Sequence, residues 1–235
     1  MDRPANENAR VQAVHQPVFN APAVVLVLIA ILVAIHAGLS VAGQNWQVWA
    51  LYAFAFIPVR LTDPNYPMIP GSQAWSFLTY AFLHGSWMHL IFNSIWLLVF
   101  GTPVARYLGT ARVLLLAAIS SLGGAVASLA LHWGQPVIMI GASGAVSGLL
   151  GAAVPIMFAV PSTWGRRPSA PAELLTNRRA LLFVLVFLAI TVFSGASGWT
   201  GNSFMQDGGI AWEAHLGGFL AGLATFYLLA QRRVS

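Results

Sequence analysis

The chain has 235 residues, 58% hydrophobic and only 7% charged, with a mean hydropathy of +0.75. A soluble domain carries about 25% charged residues, so a water-exposed globular fold is excluded and an all-α membrane protein is expected. The absence of cysteine excludes disulfides and thiolate metal or redox chemistry. The net charge of +5 comes from arginines alone, spread over several loops, so no nucleic-acid partner is expected.

Residues 1–20 are polar, include Arg3 and Arg10, and read as a short tail with no signal peptide evident. A spanning helix needs roughly 20 apolar residues. Six runs qualify, at 21–41, 87–103, 111–133, 142–160, 180–195 and 211–229. They define one six-helix domain over 21–231, followed by a tail at 232–235. The second and fifth runs are short and are expected to extend into their flanks. No internal repeat is visible.

Orientation follows from arginine placement, because cytoplasmic loops carry the excess of basic residues. With six spans, Arg3, Arg10, Arg106, Arg112, Arg166, Arg167, Arg178, Arg179, Arg232 and Arg233 share one side, and Arg60 stands on the other. Both termini are therefore expected in the cytoplasm. The second, fourth and sixth helices then all start on the outer side.

The outer loops differ in character. The loop at 42–83 contains Trp46-Gln47-Val48-Trp49 and an apolar stretch at 50–59, which is too short to span and suits an interfacial or packed segment. The loop at 196–210 combines Gly198, Gly201, Gly208 and Gly209 with Trp199, Phe204 and Met205, which suits either a movable cap or a plain connector. The inner loop at 161–179, with Pro168 and Pro171, reads as structured.

Three polar clusters interrupt the apolar runs, each near the outer end of its helix. Polar groups at such depth are costly and mark function by default. Ser143 lies in Gly141-Ala142-Ser143-Gly144 at the start of the fourth run. A serine becomes a nucleophile when a base takes its proton. The free N–H groups of a helix N-terminus can also hold an oxyanion. The alternative is plain packing, since Gly144 and Gly148, like Ser143 and Ser147, have small-residue helix-contact spacing.

His215, before Gly217-Gly218, is the candidate base. No aspartate lies at its depth, and Glu213 faces elsewhere, so a dyad is expected rather than a triad. Gly218 and Gly222 allow this helix to press against a neighbour, plausibly the fourth helix. His89 and Asn93 are four residues apart and share a helix face. Both can donate to a developing oxyanion; the alternative is inter-helix hydrogen bonding. A two-histidine metal site is disfavoured because no carboxylate or cysteine completes it, and no cofactor is expected. His84 is read as bracing the loop above the second helix, and His15, His36 and His132 as structural or exposed.

Together these residues resemble the rhomboid family of intramembrane serine proteases. The resemblance rests on His84-Gly85-Ser86-Trp87-Met88-His89-Leu90-Ile91-Phe92-Asn93, on Gly141-Ala142-Ser143-Gly144 and on Ala214-His215-Leu216-Gly217-Gly218, in that order. It covers about residues 21–229 and implies the compact bacterial six-helix form. Ser143 would be nucleophile and His215 base. His89, Asn93 and the Ser143 N–H would stabilise the oxyanion, Gly141 would shape the loop before Ser143, and Gly218 would permit close packing. The implied partners are single-span membrane proteins, cleaved in or near the bilayer where small residues loosen the helix. The implied location is a bacterial plasma membrane, with the site opening outward.

Two positions depart from the family pattern. Ser147 stands where many relatives carry an aromatic residue that stacks on the base, and Trp75-Ser76 where many carry Trp-Arg. The alternative function is a non-catalytic rhomboid-like protein that binds membrane helices. A small transporter fits less well, because no acidic residue falls mid-helix.

Overall fold

Every apolar run folds as a helix in the computed structural model, which describes residues 21–163, 165–196 and 211–231. The tails at 1–20 and 232–235, and almost all of the proposed cap at 196–210, lie outside the described residues. The helix α1 (Ala23–Ala42) ends at Gly43, whose positive φ turns the chain into α2 (Gln44–Phe54). A 3-10 turn (Pro58–Leu61), α3 (Ser72–Thr79) and a second 3-10 turn (Tyr80–Phe82) complete the first long connection. Next come α4 (Trp87–Leu108), α5 (Thr110–Leu131) and α6 (Ser143–Met157). A hairpin of β1 (Val160–Ser162) and β2 (Gly165–Arg167) follows, then α7 (Pro171–Thr176). The last two helices are α8 (Arg178–Ala196) and α9 (Trp212–Gln231).

Among the described residues, α1, α4, α5 and α9 are long and apolar enough to cross a membrane. The fourth run is shorter than its composition suggested, with 15 helical residues in α6. That is about 22 Å of helix, less than the roughly 30 Å hydrocarbon thickness. Almost all of α6 is buried among other helices, so protein rather than lipid sets its length. The second run extends into its flank, as anticipated, and continues through Pro103 to Leu108. Membrane helices tolerate an internal proline because neighbouring groups satisfy the freed carbonyl. Here Val104, Ala105 and Leu108 extend the buried face of α4 past the proline.

Among the described residues the small hairpin is the only pair of strands. It belongs to an ordered loop, in which Arg167 pairs with both carboxylate oxygens of Glu173 at 2.9 and 2.7 Å. Ser169 N–H donates to Pro155 O at 3.0 Å, and the Tyr227 hydroxyl donates to Ser169 O at 2.7 Å. The loop is thereby tied to the C-terminal ends of α6 and α9, as the proline-rich sequence anticipated.

The bundle is centred on α5, α6 and α9. Small residues make this possible. A Cβ on Gly218 or Gly222 would collide with the backbone of Gly144 or Gly148, and one on Gly151 would sit 2.5 Å from Phe219 O. Gly144 with Gly218 and Gly148 with Gly222 advance together, so α6 and α9 run parallel and in step. On α5, a Cβ on Gly123 would meet Gly217 O at 2.8 Å, and one on Gly124 would meet Ala214 O at 2.9 Å. Helices this close gain dispersion contact that larger side chains would forbid.

Candidate active site

The site is assembled on helix starts. Ser86 caps α4, its side chain accepting from His89 N–H at 3.2 Å. This cap fixes where the helix begins and so places His89 in its first turn. One turn on, buried Asn93 donates from Nδ2 to His89 O at 3.1 Å. The His84 ring lies 5.0 Å from that of His89, centroid to centroid, at 68°. His84 is buried. Desolvation first, then the neighbouring His89 and His36, hold its imidazole down to about 3.

The segment leading to Ser143 hangs on the long connection between α1 and α4. Phe56 and Met139 exchange backbone hydrogen bonds at 3.1 and 2.9 Å, and Val59 N–H donates to Gln135 O at 3.0 Å. Gly141 N–H donates to Tyr80 O at 3.0 Å. Gly141 has φ +117°, and a Cβ there would lie 2.6 Å from His89 Nε2 and 3.8 Å from Asn93 Nδ2. Glycine is thus required twice over, by the backbone and by the His89 ring. The contact brings the His89–Asn93 face directly against the Gly141-Ala142-Ser143-Gly144 turn.

Ser143 opens α6 and His215 lies in the first turns of α9; both are partly exposed. A Cβ on Gly144, next to Ser143, would lie 3.8 Å from Ala214 O, next to His215. All four sequence-selected side chains therefore belong to one end of the bundle. Gly141, Gly144, Gly218 and Gly222 all stand at close approaches.

The two departures have structural contexts. Ser76 is buried, and its neighbour Trp75 donates from Nε1 to Ala53 O at 2.6 Å, anchoring α3 beneath α2. Arg60, the single arginine expected on the outer side, is buried in this loop and donates from Nη1 to Ala55 O at 3.2 Å. Ser147 is buried within α6. The stretch at 50–59 packs inward as expected, while Trp46, Trp49 and Tyr52 of α2 remain exposed.

Sequence reasoning missed two features. Glu213 is 3% exposed. It accepts from Ser128 Oγ at 3.2 Å and pairs with His132 Nε2 at 3.3 Å, fastening the first turn of α9 to α5. It does point away from His215's face, but it has a partner there that spacing could not reveal. The second is Tyr80, whose signal was an aromatic with a polar tip just ahead of His84. Among the described residues no group of three or more His, Cys, Asp or Glu could hold a metal.

Comparison with known proteins gives the family. The Rhomboid domain family model matches residues 71–232. RHOMBOID-like protein 6, mitochondrial, of Arabidopsis thaliana is 30% identical over 169 residues, covering 69% of this chain and 46% of that protein. Rhomboid protease GlpG of Pectobacterium atrosepticum is 30% identical over 152 residues, 64% of this chain and 47% of that protein. GlpG of Salmonella typhi is 26% identical over 209 residues, 88% and 63% respectively. The chain thus spans about half the length of several curated relatives it matches. With a family match across well over half of its residues and helices fit to cross a bilayer, the chain is a multi-pass membrane protein of the rhomboid family.

Proposed function

We propose that the protein is an intramembrane serine endopeptidase acting on transmembrane helices of other membrane proteins. One observation carries the reading: Gly141, at φ +117°, is pressed against His89 and Asn93 immediately before Ser143. The protease names of the GlpG relatives support it.

In this reading Ser143 Oγ attacks the scissile carbonyl carbon while His215 takes its proton. The tetrahedral oxyanion is held by His89, Asn93 and the Ser143 N–H, each donor being worth roughly 3 kcal/mol in such a site. His215 then gives the proton to the leaving amine, and the C–N bond breaks. Water, activated by the same histidine, hydrolyses the acyl-enzyme and regenerates Ser143. The substrate helix must unwind locally, because a regular helix keeps its carbonyls bonded and shielded.

The proposed setting is a plasma membrane. It has six spans, both termini on the arginine-rich side and the site open to the opposite face. Parallel α6 and α9, which start at the same end, support this arrangement.

The test is cleavage of a model single-span substrate by purified protein in detergent. Wild type should cleave, and Ser143→Ala and His215→Ala should each abolish cleavage. Folded wild type that cleaves nothing and binds membrane helices stoichiometrically would instead identify a helix-binding protein.

A further inference from the structure

Tyr80 is among the most deeply buried side chains, at 1% exposed, and it stands between the turn before Ser143, α5 and the start of α6. Its hydroxyl donates to Ser121 O on α5 at 2.9 Å. That oxygen also fills the gap a Cβ would need on two glycines, lying 2.6 Å from the Gly144 position and 3.0 Å from the Gly124 position. Both positions border Ala214 O, at 3.8 and 2.9 Å respectively. The Tyr80 side chain packs in one cluster with Ala214, the residue before His215, and with Phe56. Its backbone carbonyl meanwhile accepts from Gly141 N–H at 3.0 Å. One residue thus touches the turn before Ser143, the start of α6 and the turn carrying His215.

This placement matters because Ser147 supplies no ring beside the base. Fixing His215 must then come from the backbone that carries it. Gly124 and Gly144 leave a slot of about one polar atom between α5, α6 and α9, and the Tyr80 hydroxyl occupies it. Burial pushes that hydroxyl well above its ordinary range, so it remains a neutral donor. A buried tyrosine with its tip bonded resists displacement, since breaking the bond strands the buried hydroxyl.

We infer that Tyr80 is a positioning residue that sets the spacing between the Gly141–Ser143 turn and the Ala214–His215 turn. The inference rests on the protease reading above. It concerns alignment of the reacting groups, so it acts on turnover and not on substrate docking.

The test uses the full chain in detergent, with Tyr80→Phe, Tyr80→Leu and, as a packing control, Phe226→Leu, a fully buried ring that packs on Tyr107 and Tyr227 away from the site. Three readouts are taken below each variant's thermal midpoint. These are the rate of Ser143 labelling by a fluorophosphonate, kcat, and KM for a single-span substrate. Misplacement of reacting groups by about 1 Å can cost about 100-fold. Tyr80→Leu should therefore lower labelling and kcat by at least about tenfold with KM little changed. Tyr80→Phe, which keeps the ring, should recover most of that loss. Phe226→Leu should lower the midpoint but label at the wild-type rate. Wild-type labelling and kcat in Tyr80→Leu would overturn the inference while leaving the protease reading intact. So would an equal loss in Phe226→Leu. A wild type that neither labels nor cleaves would overturn both.

Discussion

At Gly141 a methyl group has no room. Alanine there would hold φ +117° against its own Cβ and drive into the His89 ring 2.6 Å away. The backbone strain alone is roughly 1–2 kcal/mol. Gly141→Ala should cut kcat more than about tenfold while the helices remain folded, since His89 must move from the place where an oxyanion donor is needed. Paired cleavage kinetics and circular dichroism check this, and unchanged kcat would remove Gly141 from the site. Glu213 gives a different expectation. Its carboxylate is buried between Ser128 and His132, and removing one partner of a buried hydrogen bond costs about 1–3 kcal/mol. Glu213→Ala should lower the thermal midpoint clearly. Glu213→Gln, whose amide oxygen still accepts from Ser128, should lower it less. Identical midpoints for the two would show that the carboxylate bonds are not what holds α9.

Between elements, the decisive contact is the parallel seam of α6 and α9. Its backbones touch at Gly144 with Gly218 and Gly148 with Gly222. A wedge in this seam separates the helices that carry Ser143 and His215. Gly222→Val should therefore abolish cleavage and reduce thermal stability together. Leu182 and Leu185 on α8 are 63% and 61% exposed. Leu→Ala at either position exchanges one lipid-facing apolar side chain for another, and both activity and midpoint should stay close to wild type. Much of this was legible beforehand. The apolar runs gave the helices, and the small-residue spacing in the fourth and sixth runs pointed to their pairing. The role of α5 was not legible. Gly123 and Gly124 sit in a long apolar run as ordinary small residues, and only the fold shows that they press on α9.

For the whole molecule, topology and pH response are both measurable. The chain lacks cysteine, so single cysteines report accessibility without background. A cysteine at Thr62 should react with an impermeant maleimide from outside intact cells, and one at Ser162 only after lysis. The reverse pattern would invert the proposed orientation. His84 supplies part of the pH dependence. Its imidazole is held at about 3, below its ordinary 6.5, chiefly by burial. A depressed value means the fold favours the neutral form. Its contribution to stability is complete above pH 6.5 and is lost as pH falls from there toward 3. For one proton the slope approaches about 1.4 kcal/mol per pH unit. The thermal midpoint should be flat above about pH 7 and fall through the acid range, and His84→Asn should make that fall shallower.

The sequence by itself determined the solvent of this protein, its helical runs and the identity of the polar residues near the starts of three of them. Each of these is local, written in hydropathy and in spacing along one chain. It also revealed that Ser147 and Ser76 break the family pattern. Tertiary structure alone decided the contacts around these elements: Trp75 bonded to Ala53 O, Arg60 to Ala55 O, Tyr80 lodged between three helices, and Glu213 fastened to Ser128 and His132. The Tyr80 and Glu213 contacts join residues 41 and 85 positions apart along the chain. No periodicity encodes these two, because they exist only once glycine faces have brought the helices within backbone contact.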